Sequence, residues 1–550
     1  MDATKLDAKL ERLAKASDRW ARLNLDVKID MLDRFVDRLA SLAERYVDEN
    51  ASAKGLRRAS AETGEEWFSG PVPVMRYARF LRKTLVSIAE RGRPPVERDQ
   101  IRRRDDGQVV VDVLPLDAWD RALFPGFEAS VWMEPEVRAA DIYEETAAFY
   151  RQSDPDGCLN LVLTVGNVSS IPPLDVLSKL YVEGHVCLTQ LHPVLDYMQS
   201  SLEELFAEFI EEGFVDVVFG RSDVGAYLCG HDLVDEIHLT GSDATHDAIV
   251  DGFRAEEEDV KITSALGNIS PVIVAPGPWS DDDITFHAEN IATQIVANAG
   301  FNCNDAQVLI TPEGWDRRDD LLDGIRNLLE EIPIRTAFYH GAHERFERFM
   351  GTYDQSEQFG TKTDDLLPWG LIPDVDPSER ESLCFTEETF CGVLCETAIE
   401  APDVGYYLAK AVDFCNDHLW GTLCSSLIVH PDIAQPHQGA VEAAISDLEY
   451  GTVTLNHWPA MAYGLGVTPW GSYPGNTYDD IQSGIGWTHN AFMFDRPQKS
   501  VMRGPFRTRI RPPWFATNRR AHKLGPRLLQ LERRPSVGQL LQVLWQEVRG

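Results

Sequence analysis

The sequence predicts an α/β protein built on parallel sheets, and three observations carry that prediction. Between Cys158 and Val274, short β-branched runs alternate with helical segments, the pattern of strand–helix–strand crossovers. Two of the strands run into turns of glycine and small polar residues that open a helix, Gly166-Asn167 and Thr240-Gly241-Ser242. At 550 residues, with 43% hydrophobic and 25% charged residues, the chain exceeds what one core holds, so two or three domains are expected.

Taken in order, residues 1 to about 90 read as helices. The clearest carries Ile29, Leu32, Phe35, Val36, Leu39, Leu42, Ala43 and Tyr46 on one face, with charged residues opposite, and reads as a cover that touches no substrate. Val109–Val113 is strand-like. The following stretch to Pro135, with Trp119, Phe124, Phe127 and Trp132, is unassigned. Strands are expected at Leu159–Thr164, Val186–Thr189, Val215–Phe219, Glu236–Leu239 and Val260–Thr263, with the longest intervening helix from Val194 to Glu212. Ligands of such sheets bind at the carboxyl ends of the strands. Neither GxGxxG nor GxxxxGK[ST] occurs.

A formal charge of −36 argues against a nucleic-acid-binding body, because phosphate is repelled by such a field. From residue 496 onward, however, 13 Lys or Arg face two Glu, so a basic tail follows an acidic body. Its expected place is on an acidic surface of its own or a neighbouring subunit. Nine scattered cysteines do not form a disulfide framework, and Cys384, Cys391 and Cys395 lack zinc-knuckle spacing, so no metal site is expected. No stretch approaches the roughly 18 apolar residues of a membrane span, and the charged N-terminus lacks the apolar core of a signal peptide, so the expected location is cytoplasmic.

The segment Asn298-Ala299-Gly300-Phe301-Asn302-Cys303-Asn304 presents one cysteine among small and amide residues before an apolar run. A thiol so placed can attack a carbonyl and hold the product as a thioester. The competing reading is an inert core cysteine.

The order Gly166-Asn167, Thr240-Gly241-Ser242, Leu266-Gly267-x-x-Ser270-Pro271, Asn298-x-Gly300-x-x-Cys303 and Glu388-x-Phe390 resembles the aldehyde dehydrogenase superfamily across roughly residues 10 to 495. The resemblance implies two doubly wound parallel-sheet domains, one for cofactor and one for catalysis, with an N-terminal helical segment and a C-terminal extension. It assigns residues 1–265 to the helices and NAD(P)-binding domain, including an oligomerisation hairpin around 130–157. Residues 266–472 become the catalytic cysteine domain, 473–497 a return to the cofactor side, and 498–550 the basic tail. It makes Cys303 the nucleophile and Asn167 an oxyanion donor. Gly241 and Ser242 match the pair at the pyrophosphate, Gly166, Thr240, Leu266 and Gly267 border the cofactor, Glu388 holds the nicotinamide ribose and Phe390 packs on its ring. The competing reading of Ser242 is an ordinary helix cap.

Three departures stand out. Ala265 occupies the position of the family's general-base glutamate, and a methyl group accepts no proton. Asp479, Asp480 and Glu396 are the candidate substitutes. Gln190 replaces the usual lysine, with His192 and Pro193 near the adenosine ribose, which leaves NAD and NADP both open. Cys391-Gly392 replaces the usual Gly-Pro. The implied activity is an NAD(P)-dependent oxidoreductase acting on an aldehyde or acyl group. The alternatives are a coenzyme A-linked acyl-thioester reductase or acylating dehydrogenase, and a catalytically silent nucleotide-binding or structural homologue. A homodimer or homotetramer is the expected assembly.

Overall fold

A computed structural model of the chain describes residues 3–256 and 260–547. The five expected strands form one sheet with every pair parallel. Its order is Val215–Phe219, Val186–Leu191, Leu159–Leu163, Glu236–Thr240 and Lys261–Ala265. The three strands Val186–Leu191, Leu159–Leu163 and Val215–Phe219 are buried along almost their whole length, and burial falls off towards the edge strand Lys261–Ala265. The order reverses beside Leu159–Leu163, and the Gly166 and Gly241 turns lie at that switch point.

A second sheet of eleven strands is parallel through its centre: Pro497–Arg503, Thr452–Leu455, Cys424–Ile428, Pro271–Val274, Val308–Pro312, Val393–Ile399 and Trp369–Ile372. Glu357–Phe359 adds an antiparallel edge. At the other edge, Glu128–Met133 pairs antiparallel with Pro497–Arg503 and leads on to Val109–Leu114 and Ile101–Arg103. The strand that opens the region expected to form an oligomerisation hairpin is thus joined to the chain's own second sheet by the strand that begins the basic tail.

The expected helix from Val194 to Glu212 is broken into Pro193–Met198, Gln199–Leu205 and Ala207–Glu211. Leu195 and Phe206 leave helical geometry, and Phe206 turns its ring onto Phe35 and Phe209. Packing of one aromatic ring overrides the periodicity there. The N-terminal helix Leu25–Ala53 buries the predicted face, with Val36 only partly covered. The tail continues into Ala521–Arg533 and Val537–Glu547, and the first of these packs on Thr63–Phe68 and Pro71–Arg91. Its basic residues meet carboxylates of the same chain: Arg507 with Asp282 and Asp283, Arg511 with Glu289, and Arg533 with Asp37.

Candidate functional site

One cavity of about 2440 Å³ runs along the carboxyl ends of the five-stranded sheet and reaches Cys303. That exceeds the usual small-molecule pocket and suits a dinucleotide with a second ligand. At one end lie Gln190, His192, Gly241 and Ser242; at the other, Asn167, Cys303, Trp458, Tyr463 and Trp470.

The cysteine loop is held in an unusual backbone path. Asn298, Ala299 and Gly300 have φ of 52°, 60° and 79°, all left-handed, a conformation that costs on the order of 1–3 kcal/mol for each non-glycine residue. Asn298 fastens it, its Nδ2 donating to the carbonyls of Asn167 and Phe301 and to Asn302 Oδ1. Asn298 Oδ1 accepts from Lys54 Nζ at 2.8 Å, and Lys54 is paired within the core with Glu66 at 3.0 Å. Glu65 accepts from the Asn298 N–H and from Arg335. Lys54, Glu65, Glu66 and Arg335 carry no motif, so the sequence reading missed them; Lys54 caps the helix that had been read as mere cover. A Cβ on Gly300 would come within 2.3 Å of the Gly392 nitrogen, and one on Gly392 within 2.3 Å of the Trp369 ring. These close approaches account for glycine at 392.

Cys303 is partly buried beside Leu423, Cys424, Trp470 and Tyr463. Burial, followed by Cys424, Glu388 and Asp305, pushes its thiol well above the ordinary value. Asn167 Nδ2 donates one hydrogen bond to the Phe301 carbonyl at 2.8 Å, and an amide nitrogen carries a second hydrogen. The Ser270 hydroxyl donates to the Cys303 carbonyl, and Trp458 Nε1 to that of Asn304.

At the Gly241-Ser242 end, Ser242 Oγ accepts from the Thr245 N–H at the start of Asp243–Glu256, so it is a helix cap that also faces the cavity. Thr240 donates to buried Asp175. Gln190 Nε2 donates to the carbonyls of Gly220 and Arg221, while its buried Oε1 has no partner. His192 Nδ1 accepts from the Val194 N–H, and its ring stacks on Tyr339 at 5.5 Å. Burial, then His340, pushes His192 down to about 4, so a neutral imidazole faces the cavity. A Cβ on Gly166 would meet that ring at 2.4 Å. Leu266 and Gly267 border the cavity, and a Cβ on Gly267 would lie 2.3 Å from Glu388 Oε2. Glu388 Oε1 accepts from the Asn268 N–H, and burial pushes its carboxyl up to about 7. Phe390, with φ of 37°, packs edge-on to Tyr339 at 4.9 Å.

Ala265 lines the cavity, whereas the three substitutes considered for its missing carboxylate do not. Glu396 is buried under Arg318 and Thr311, Asp479 is exposed and paired with Arg254, and Asp480 is exposed against Gln482. Cys384 and Cys395 are joined as one disulfide, with Cys391 buried and free, a single bridge that the scattered spacing did not signal. The bridge brackets the loop carrying Glu388 and Phe390. Among the described residues one other group, Cys158, His185 and Glu236, brings potential metal ligands within 4.8 Å at the opposite, amino ends of the strands, and Lys261 already occupies Glu236 Oε1. The tail residues Trp514, Phe515 and Asn518 also line the main cavity, a contribution that no family motif signalled.

Fold and cavity together define a parallel-sheet protein with a nucleotide-sized cleft ending on a cysteine loop. Residues 196–344 match the model of the aldehyde dehydrogenase family. The chain is 23% identical over 316 residues to N-succinylglutamate 5-semialdehyde dehydrogenase of Chromobacterium violaceum, covering 57% of this chain and 52% of that protein. It is 27% identical over 183 residues to coniferyl aldehyde dehydrogenase of a Pseudomonas species, covering 33% and 36%. These matches span about half or less of each relative's length. Among solved structures, NADP-dependent glyceraldehyde-3-phosphate dehydrogenase from Bacillus halodurans, complexed with NADP, superposes with a TM-score of 0.62 at 17% identity over 92% of both chains. The chain thus has the fold of these solved structures and a partial sequence likeness to the aldehyde dehydrogenase family.

Proposed function

We propose that this chain is an NAD(P)-dependent oxidoreductase that acts on an aldehyde through a thioacyl intermediate on Cys303. The observation that carries the reading is the single cavity linking the Gly241-Ser242 turn to Cys303 and Asn167. The residues present fit a nicotinamide dinucleotide: the amino end of Asp243–Glu256, the partnerless Gln190 Oε1 and the Glu388 carboxylate over Gly267 all border one cavity. When bound, that group accepts hydride. Gly241 and Ser242 would hold its pyrophosphate, Glu388 the ribose nearer the cysteine, and Gln190 the adenosine side.

The Cys303 sulfur attacks the aldehyde carbon after loss of its proton, and the carbonyl oxygen gains the charge. The second Asn167 amide hydrogen and the Cys303 N–H stabilise that oxyanion, a contribution of the kind often worth about 3 kcal/mol per donor. As the carbonyl re-forms, the adduct carbon gives up its hydrogen as hydride and a thioester remains on Cys303. The apolar walls at Trp458, Tyr463 and Trp470 exclude bulk water from it. The curated relatives' names, a succinylglutamate semialdehyde dehydrogenase and a coniferyl aldehyde dehydrogenase, support an aldehyde as substrate.

A second reading is favoured by Ala265: without the glutamate, the acyl group passes to the thiol of coenzyme A, or the reaction runs from an acyl thioester towards the aldehyde. Steady-state turnover of a panel of aldehydes with NAD or NADP, with and without coenzyme A, tests both. Nucleotide reduction without added thiol supports hydrolytic release; strict thiol dependence supports the acyl-transfer reading. Reduction of neither nucleotide with any aldehyde, together with no nucleotide oxidation by acyl thioesters, contradicts both.

A further inference from the structure

The carboxylate missing at Ala265 leaves a thioester with no obvious means of activating water, yet a different acid–base pair lies on the same cavity. Asp175, in the helix Ile171–Ser178 that follows the Asn167 turn, is 1% exposed. One of its oxygens lies 3.2 Å from His489 Nε2, and the other accepts from the Thr240 hydroxyl. His489 is 2% exposed and lines the cavity with Asp175, Tyr463 and Cys303. Its Nδ1 has no hydrogen-bond partner. A buried imidazole with one nitrogen tied to a carboxylate and the other free has a fixed tautomer: Nε2 carries the proton and Nδ1 offers a lone pair.

The neighbourhood distinguishes His489 from the second histidine of the cluster. His238 Nε2 is 3.7 Å from Asp175, but its Nδ1 is engaged with Thr263 at 2.9 Å and the residue does not border the cavity. Burial opposes a charge on Asp175, but His238 and His489 hold its carboxyl below the usual carboxylate range. His489 also has a φ of 55°, a left-handed conformation that side-chain-bearing residues rarely adopt. The Tyr463 ring stands 5.0 Å from the His489 ring, belongs to the apolar cluster around Cys303, and has its hydroxyl 2.8 Å from Ser170. Tyr463 therefore connects the dyad to the nucleophile.

We propose that His489, oriented by Asp175, is the base that activates water for hydrolysis of the Cys303 thioester. The water gives a proton to His489 Nδ1 while its oxygen bonds to the acyl carbon. The carbon–sulfur bond then breaks with its electron pair on sulfur, the carboxylic acid leaves, and the imidazolium proton is available to the thiolate. No further oxidant is needed, because the hydride has already left with the nucleotide. His489 is the catalytic residue of this step and Asp175 a positioning residue.

The inference rests on the thioacyl reading, and rapid mixing of the full chain with aldehyde and nucleotide separates the two. Wild type is expected to show a burst of reduced nucleotide and then steady turnover without thiol, with ¹⁸O from labelled water in the acid. His489→Gln and Asp175→Asn are expected to keep the burst amplitude, lower the steady rate by about 100-fold, and recover when coenzyme A is added as acceptor. Two outcomes overturn the dyad alone: a wild-type burst followed by release only to thiol, or a His489→Gln steady rate within about twofold of wild type. Loss of burst and steady rate together in a folded His489→Gln chain assigns the residue to the fold or the first half-reaction and also overturns it. Steady nucleotide reduction with no acyl adduct on Cys303 at any quench time overturns the thioacyl reading itself, and the dyad with it. The wild-type arms stand even where a variant fails to fold.

Discussion

Cys303 is a thiol, not a thiolate, in the ligand-free chain, since burial and the nearby Glu388 and Asp305 all oppose its ionisation. Alkylation of Cys303 by iodoacetamide should therefore keep accelerating past pH 9, followed by peptide mass spectrometry; a plateau near pH 7 would mean that an unseen group activates it. Glu388 gives a second prediction at this scale. Its carboxyl is pushed up to about 7 by burial, so it is mostly protonated below that pH and is a full acceptor only above it. Nucleotide affinity, measured by fluorescence titration, should strengthen severalfold from pH 6 to 8, and Glu388→Gln should flatten the dependence. The raised value also means that this group favours the folded state most below about pH 4.5, a contribution lost as pH rises through about 7. The motifs of the sequence singled out Cys303, Asn167, Gly241, Ser242 and Glu388, and the fold brings all five to one cavity. What could not be read was the role of histidines and carboxylates without a motif, because Asp175 and His489 are 314 positions apart and meet only through the fold.

At the scale of elements, the helix Leu25–Ala53 shows why a cover can matter to a site. Its periodicity predicted the buried face, yet its last contribution is Lys54, which holds the Asn298 loop through a pair with Glu66 that is almost wholly out of water. Breaking one side of such a pair leaves an unpaired buried charge. Glu66→Gln should cost about 3–5 kcal/mol in chemical denaturation, and should lower turnover more than nucleotide affinity because the loop loses its anchor. Equal turnover per folded molecule would contradict that link. The strands were legible because each is a short run rich in β-branched and apolar residues, set off from the next by a helical segment. The break of Val194–Glu212 was not, because periodicity records which residues are apolar and not where Phe206 finds a partner.

Across the whole molecule, the tail is bound into the body by charge and packing. Arg76 is almost wholly buried between Asp120 and Glu532 at 2.9 and 2.8 Å, and Arg79 adds a second contact to Glu532. The sequence showed the sign of the tail and an acidic body to receive it, but the buried contact runs the other way, with a tail glutamate between body arginines. Glu532→Gln should destabilise the chain by about 3–5 kcal/mol by denaturant titration, with little relief from added salt, since buried charges are weakly screened. A change under about 1 kcal/mol would mean that water reaches this network. The tail also brings Trp514 and Phe515 to the cavity that contains Cys303, so its docking and the shape of the site are one problem.

All of these scales meet in one claim, that Cys303 carries an acyl group during turnover. The direct measurement is rapid acid quench of the full chain mixed with aldehyde and NAD or NADP, read by intact and peptide mass spectrometry alongside nucleotide absorbance. The account predicts one reduced nucleotide formed per acyl adduct, with the adduct on Cys303 and absent from Cys303→Ala. Nucleotide reduction without an adduct on Cys303 under any quench time, or undiminished reduction by Cys303→Ala, would contradict it.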